Sequence, residues 1–187
     1  MDVTEETFER DVIAASRATP VIVDFWAEWC GPCHALAPVL EHEIEKRAGK
    51  VVLAKVDVDA NPGLAATHRV QGIPAVKGFR DGRVVAEFVG ARGPGAVAAF
   101  VDELLAPPQI VGLVEELRSS GELPDVLSAL EAGDKERALD LLIAAIPDAS
   151  PDDRERLRDL AVAVFEDLGH DDPLTVTYRR RLATALY

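Results

Sequence analysis

Hydrophobic residues recur at two spacings in the first 106 residues, and one of these spacings indicates strands. Residues 21–27 and 51–58 are short runs of β-branched and other apolar residues, which is typical of buried strands. Residues 75–79 and 84–89 form two further runs that flank Asp81-Gly82, a pair favoured in tight hairpin turns. The pattern therefore predicts four strands, the last two of which form a hairpin.

The other spacing places apolar residues three and four positions apart and indicates helices. Such segments cover residues 5–18, 33–48, a short stretch that begins at Asn61-Pro62, and 93–105. The predicted order is α-β-α-β-α-β-β-α, with room for a short strand at the very start. This order predicts an α/β fold in which helices cover both faces of a central mixed sheet.

Strand-like segments disappear after Ala106-Pro107-Pro108. Because two consecutive prolines cannot continue a helix, we predict a stiff joint at 107–109, between one domain over 1–106 and another over 110–187. The second domain is predicted to be a small all-α array. Its five predicted helices cover residues 110–119, 124–132, 134–146, 150–169 and 172–187.

The formal net charge of −13 disfavours two classes of partner. Residues 1–106 carry −5 (11 Lys and Arg against 16 Asp and Glu), and the remainder carries −8 (9 against 17). Neither domain offers the basic surface that binds nucleic acid or an anionic membrane. The acidic start lacks the pattern of a secretory signal, and the apolar runs are too short to span a bilayer, so we expect a cytoplasmic protein.

The segment with the clearest chemistry is Trp29-Cys30-Gly31-Pro32-Cys33-His34, which follows a predicted strand and opens a predicted helix. Unpaired N–H groups and the macrodipole at a helix N-terminus favour a thiolate. We expect the Cys30 sulfur to be reachable at the mouth and Cys33 to lie one turn inside. The two-residue spacer, stiffened by Pro32, allows a small disulfide ring. Cys30 would attack a substrate disulfide, and Cys33 would resolve the mixed disulfide.

Two other uses of a Cys-x-x-Cys pair fit this sequence less well. Half of a zinc site would need a second pair, and His34 and His42 lie eight positions apart, which is not the usual spacing of a zinc finger. Two inert core cysteines would not need Gly-Pro between them. We therefore favour redox chemistry and expect no metal.

Asp24 is the second candidate for chemistry, because it interrupts an apolar strand just before the motif. A carboxylate there is costly unless it is paired or protonated, and burial should raise its pKa. Our hypothesis is that Asp24 exchanges a proton with Cys33. The alternative is a structural acid, bonded to backbone or to Lys55, which itself interrupts the next apolar strand.

Ile73-Pro74 directly precedes the third predicted strand, where a proline is unremarkable. If the bond between them is cis, the loop would lie against the sulfurs and present the backbone of Ile73 to a substrate strand. The sequence leaves the isomer open.

Together these features resemble thioredoxin across residues 1–106. The segments that carry the resemblance are residues 24–33, Lys55, Asn61-Pro62, 72–74, Asp81-Gly82 and 89–90. The resemblance implies the thioredoxin fold, with Cys30 as nucleophile, Cys33 as resolving thiol assisted by Asp24, and a cis Pro74. It also implies a substrate groove lined by Trp29, Gly31, Pro32, Ile73 and Gly90.

The resemblance further implies protein substrates with disulfides or exposed thiols and a thioredoxin reductase as electron donor. No cofactor is expected, because the disulfide itself carries the electrons. Two departures stand out. His34 replaces the usual Lys or Arg, so either the reduction potential depends on pH or the residue is an inconsequential helix position. Lys77 and Gly78 make the third strand less apolar and are expected to alter the sheet.

The second domain resembles tetratricopeptide proteins. Residues 132–134 with Ala138 and Leu139 are similar to the turn and second helix of one repeat, although no second clear copy lies 34 residues away and a plain helical bundle is the alternative. Residues 130–134, 165–174 and 178–183 resemble the tail of bacterial chaperedoxins. That resemblance implies holdase activity and delivery of clients to a chaperonin, although chaperedoxin tails are usually longer and some members lack the cysteine pair.

Three functions follow as hypotheses. The first is a disulfide reductase that uses both thiols. The second is a client-binding module in which the thiols only protect client cysteines by forming mixed disulfides. In the third, the last helix, with Tyr178, Tyr187 and the basic cluster 179–181, docks on one partner. For this last helix, an ordinary amphipathic packing role is the favoured alternative.

Overall fold

A computed structural model describes residues 1–169 and 172–187, and within them four strands form a mixed sheet in the order β2-β1-β3-β4. The strands are β1 (Val21–Trp26), β2 (Val52–Asp57), β3 (Ala75–Arg80) and β4 (Arg83–Val89). β1 runs parallel to β2 and antiparallel to β3, and β3 and β4 form the hairpin predicted around Asp81-Gly82. The predicted strands are confirmed to within a residue at either end.

Helices cover both faces of this sheet, as the α/β pattern predicts. They are α1 (Gly31–Glu45), α2 (Pro62–Thr67) and α3 (Pro94–Leu105). Side chains alternate along β1, so Val21, Val23 and Phe25 face one core while Ile22 faces the other. The first core includes the N-terminal segment and Leu64 of α2, and the second is filled from α1 and α3.

The start of the chain differs from the prediction of one helix over residues 5–18. A π-helical segment, Glu9–Ala14, is followed by a 3-10 turn, Ala15–Arg17. The buried Ser16 explains the change, because it accepts hydrogen bonds from the β3–β4 turn while its hydroxyl donates to Ile13. These contacts hold the end of the segment in place. The short strand allowed for at the start is a single bridge from Asp2 to Lys55.

The third strand is irregular where Lys77 and Gly78 interrupt its apolar run. The register of β3 against β4 shifts between Gly78 and Phe79. A Cβ atom at Gly78 would lie 3.0 Å from a methyl carbon of Leu104 on α3, so only glycine fits without a shift. Lys77 forms an ion pair with Glu87 on β4. The absence of a side chain at Gly78 therefore lets α3 pack closely against β3.

The remainder of the chain is helical. Its helices are α4 (Gln109–Ser120), α5 (Pro124–Glu131), α6 (Lys135–Ala145), α7 (Pro151–Leu168) and α8 (Pro173–Leu186). Asp134, Ser150 and Asp172 cap α6, α7 and α8 by accepting hydrogen bonds from backbone N–H groups in the first turn. The apolar faces enclose one core that includes Leu139, Leu142 and Phe165.

The chain divides into two compact units, Met1–Ala106 and Pro107–Tyr187, which we call the first unit and the tail. Within the described residues no single helix is long and apolar enough to cross a membrane. α3 and α4 meet the criteria of length and hydropathy only when counted together across the break between them.

Candidate active site

The two cysteines lie at the start of α1 and are joined. The Sγ–Sγ distance is 2.02 Å and the two Cα atoms are 5.3 Å apart. Cys30 is the N-cap of the helix, and its sulfur accepts a hydrogen bond of 3.3 Å from the N–H of Cys33. Gly31 and Pro32 occupy the first helical turn and are exposed. The sequence therefore places a dithiol where the N–H groups of a helix stabilise a thiolate.

The disulfide is more covered than we expected. Cys30 is 3% exposed and Cys33 is 2% exposed, so the first cysteine is as buried as the second in this oxidised state. The reason is largely tertiary, because Val58 and Ile73 from distant parts of the chain pack against the cysteines together with the nearby Trp26. Of these neighbours, Val58 is the one that the sequence did not suggest. That the Cys30 sulfur is reachable in the reduced state stays a prediction.

The loop before β3 meets the loop after β4 near the cysteines. The Ile73–Pro74 peptide bond, which the sequence left open, is cis. Ile73 packs against the cysteine cluster, and the carbonyl of Pro74 accepts a hydrogen bond of 2.7 Å from the N–H of Gly90. Gly90 has φ +87°, a conformation that favours glycine. The structure thus brings Gly90 to the cis-proline loop, whose Ile73 packs against the disulfide.

Trp29 stands out from the surface beside the motif. Its side chain is 70% exposed, and its indole Nε1 donates a 2.7 Å hydrogen bond to Oδ2 of Asp59. Val89, next to Gly90, is also exposed. Neither Asp59 nor Val89 was predicted from the sequence as a site residue. The available signal was their position at strand ends, since Asp59 follows β2 and Val89 ends β4.

His34 contacts the loop that leads to the cysteines. Its Nε2 lies 2.7 Å from the carbonyl oxygen of Glu28, and its ring centroid is 6.2 Å from that of Trp26. Because a carbonyl can only accept, Nε2 donates in this bond. The exposed imidazole therefore tethers the turn ahead of Cys30. Its influence on the reduction potential stays a prediction.

Asp24 lies behind the motif on β1 and is 1% exposed. No described residue forms a hydrogen bond with its buried Oδ1. Burial raises the pKa of Asp24 to about 6, Lys55 opposes this shift, and Glu41 adds to it. The predicted upward shift is confirmed. The alternative pairing with Lys55 is wrong, because the Lys55 ammonium binds Oε1 of Glu41 at 2.5 Å.

Metal ligation has no geometric support in residues 1–169 and 172–187. No three His, Cys, Asp or Glu side chains there are grouped as the ligands of an ion would be. What the site does hold is a joined cysteine pair at a helix start, a cis-proline loop beside it and a buried acid on the adjacent strand. These features define a thiol–disulfide oxidoreductase site on a thioredoxin fold.

Comparison with known proteins supports this class. The family model of thioredoxin matches residues 1–103, and a tetratricopeptide repeat model matches residues 126–187. The chain therefore belongs to the thioredoxin family, is a thioredoxin-type oxidoreductase and carries a tetratricopeptide-like tail. Both resemblances in the sequence are confirmed at that level.

Individual relatives match the first unit alone. Thioredoxin C-2 of Corynebacterium nephridii is 48% identical over 103 residues, which are 55% of this chain and 94% of that protein. A thioredoxin of Mycobacterium tuberculosis is 46% identical over 103 residues, or 55% of this chain and 87% of that protein. A thioredoxin of Pseudomonas aeruginosa is 43% identical over 102 residues, or 54% and 93%. A domain equivalent to the first unit is thus nearly a whole protein elsewhere.

Proposed function

We propose that the chain is a protein-disulfide reductase. The observation that carries this proposal is the Cys30–Cys33 disulfide at the N-terminus of α1. In the reduced state the Cys30 thiolate attacks one sulfur of a substrate disulfide. A bond forms between Cys30 and that sulfur, and the other substrate sulfur leaves as a thiolate.

Cys33 then completes the exchange. Its thiolate attacks Sγ of Cys30, the protein disulfide forms, and the second substrate sulfur leaves and takes up a proton. Two electrons have moved from the protein dithiol to the substrate. The neighbouring thiol makes this step fast, because it is held at high effective concentration.

Asp24 is proposed as the group that takes the proton of Cys33. Its burial and raised pKa, about 6, support a carboxyl that changes protonation near neutral pH. Lys55 acts on it electrostatically. His34 is proposed to make the potential depend on pH, through its contact with the loop before Cys30.

Substrate is proposed to bind as an extended segment across the disulfide. Trp29, Gly31 and Pro32 are proposed to line one side of the groove, and Ile73, Pro74 and Gly90 the other. The exposed Trp29 and Val89 offer apolar contact, and loop backbone next to β3 offers hydrogen bonds to a peptide strand. The proposed substrates are proteins with disulfides or exposed thiols. The proposed setting is the cytoplasm, with a thioredoxin reductase as electron donor and no cofactor on this chain.

Insulin reduction tests the enzymatic proposal, with dithiothreitol as the electron source. Cys30→Ser should abolish turnover, because no thiolate remains to attack the disulfide. Val111→Ser is the matched control, since Val111 is 55% exposed in the tail, and it should retain activity. Turnover that survives Cys30→Ser would exclude the mechanism.

We further propose that the tail binds protein clients, either unfolded chains or a chaperonin. Its match to a tetratricopeptide model supports a role in protein interaction. In the alternative, the thiols only protect client cysteines by forming mixed disulfides. Slow insulin turnover together with stable client adducts would favour that alternative.

Suppression of citrate synthase aggregation tests the tail. The full chain should suppress light scattering more strongly than residues 1–106, a fragment that corresponds to nearly the whole of its thioredoxin relatives. The two proteins should reduce insulin equally. Equal suppression by both would remove the tail from the proposal.

A further inference from the structure

A parallel pairing places Asp24 beside the only cation that acts on it among the described residues. Asp24 of β1 is the register partner of Lys55 of β2. Register partners in a sheet present their side chains on the same face. This is the face that α1 and α3 cover, so the carboxyl and the start of the lysine side chain share one compartment.

The lysine nevertheless binds another carboxylate. Its Nζ donates to Oε1 of Glu41, on α1, at 2.5 Å. The Lys55 side chain is 26% exposed and that of Glu41 is 54% exposed. Both line an open cleft between α1 and β2, together with Asp2, Pro38 and His42. The ammonium is therefore directed to the solvent side of the compartment, where Glu41 receives it.

The physical reason is the cost of desolvation. An ion pair between Lys55 and Asp24 would remove two charges from water, which costs several kcal/mol per ion before their attraction is counted. The pair with Glu41 keeps both charges partly hydrated and so avoids most of that cost. Glu41 thus competes with Asp24 for the ammonium of Lys55, and the ion pair with Glu41 has the lower desolvation cost.

We propose that Glu41 is a positioning residue, which holds the ammonium of Lys55 at the mouth of the cleft and leaves the carboxyl of Asp24 without a cationic partner. Asp24 can then hold a proton near neutral pH instead of remaining a permanently paired carboxylate. The importance of this for turnover rests on the proposed role of Asp24 in accepting the proton of Cys33. The placement of the ammonium does not rest on that role.

Other elements packed around Asp24 bring few charges. β3 places Val76 opposite it, and α3 supplies apolar side chains to the same compartment. α1 contributes Glu41 and the joined cysteines, which do not titrate while bonded. Asp2 and His42 border the cleft on its outer side. Lys55 and Glu41 are the charged groups that act on Asp24 in the described part of the chain.

The test is a direct titration of Asp24 in the oxidised full-length chain, by the NMR shift of its carboxyl carbon. Glu41→Gln frees the ammonium of Lys55, which then samples positions nearer the carboxyl of Asp24 without being fully desolvated, and the pKa of Asp24 should fall by roughly half a pH unit or more. Glu45→Gln is the matched control, because Glu45 is exposed on the same helix and lines the same cleft. It should leave the titration of Asp24 nearly unchanged.

The same substitution in a Lys55→Met background separates positioning from simple loss of a negative charge. If Glu41 acts through Lys55, Glu41→Gln should have less than half of its effect once the lysine is absent. An unchanged titration in Glu41→Gln, or an equal shift with and without Lys55, would overturn the proposal.

Turnover gives a second readout that isolates the proposed function. The acidic limb of the pH profile of insulin reduction should move down with the titration of Asp24 in Glu41→Gln. A titration that moves while the profile stays fixed would leave Glu41 as the positioning residue and contradict the role of Asp24 in turnover.

Discussion

In the first unit Asp24, the acid on the strand before the cysteines, is buried. In the tail, two acids lie at the surface and have cationic partners. Asp140 accepts from Arg181 and from the hydroxyl of Tyr178, and Glu116 binds Arg156. The tail is the more acidic of the two regions, yet these two acids are partly hydrated and paired with arginines. The difference shows that charge density does not locate the chemistry. A buried acid whose pKa is raised toward neutral pH is the better indicator of a candidate site.

The two units also differ in how their cores are made. The tail core comes from the apolar faces of neighbouring helices, with caps such as Asp134 and Ser150 at their starts. The first unit adds a feature that costs stability, the buried carboxyl of Asp24, whose Oδ1 has no hydrogen-bond partner among the described residues. Such local conflicts concentrate at functional sites, because a folded protein tolerates them where they are used.

The largest expected difference between the two units is in insulin turnover, which should depend on the cysteines and not on the tail. Cys33→Ser should lower insulin turnover by at least about 10³-fold, because the mixed disulfide then waits for an external thiol. Removal of the tail should change turnover by no more than about twofold, since each unit has its own core. The assay is steady-state turnover, with trapped mixed disulfide detected by mass. A loss of turnover on removal of the tail that is as large as the loss in Cys33→Ser would mean that the tail takes part in the chemistry.

The second prediction concerns the stability of the tail core. Leu139→Ala removes a fully buried side chain from α6 and should cost about 2 to 5 kcal/mol of tail stability. Val162→Ala, at a partly exposed position of α7, is the control and should cost about 0.5 kcal/mol or less. Hydrogen exchange of α6 amides measures the effect. Both tryptophans belong to the first unit, so their fluorescence should report unchanged unfolding there.

Asp24→Asn sharpens the comparison through pH. The folded-state pKa, about 6, lies above the ordinary 3.8, so ionisation destabilises the first unit as pH rises from about 4 through 6. The penalty above that range is about 3 kcal/mol at most, from the 1.36 kcal/mol that each pKa unit represents. Asp24→Asn should therefore stabilise the unit at pH 8 and lose this advantage near pH 4.

Urea unfolding followed by tryptophan fluorescence at the two pH values measures this effect. The matched tail variant is Asp140→Asn, whose acid is half exposed and paired with Arg181, and its unfolding is followed by far-ultraviolet circular dichroism because both tryptophans belong to the first unit. It should show no comparable gain at pH 8. A gain from Asp24→Asn that is the same at pH 4 and pH 8 would contradict the raised pKa.

The smallest effects compare one glycine from each region. Gly78→Ala should destabilise the first unit by about 1 to 2 kcal/mol, because its methyl group would meet Leu104 on α3. Gly112→Ala should stabilise the tail by about 0.5 to 1 kcal/mol, since a Cβ there meets no described atom within 4 Å and alanine favours the helix. Denaturant midpoints of the two units measure both changes. A change in stability of the same sign in the two variants would contradict this prediction.

Much of this structure was predictable, because its signals are local. The order of strands and helices, the hairpin at Asp81-Gly82 and the tail caps follow from periodicity and turn chemistry over a few residues. The candidate dithiol follows from a strand, two cysteines and a helix in immediate succession. The form of the N-terminal helix was missed, because Ser16 is held by the turn between β3 and β4, far along the chain.

The sequence by itself determined where the redox chemistry lies, since Cys30 and Cys33 open a helix directly after a strand, and that strand carries Asp24, the proposed proton acceptor. Only the tertiary structure decided how that chemistry is surrounded. It buried both sulfurs under Trp26, Val58 and Ile73, and it directed Lys55 to Glu41 instead of Asp24. The physical reason is that burial and ion-pair choice depend on the desolvation of groups brought together by folding. No spacing along the chain encodes that quantity.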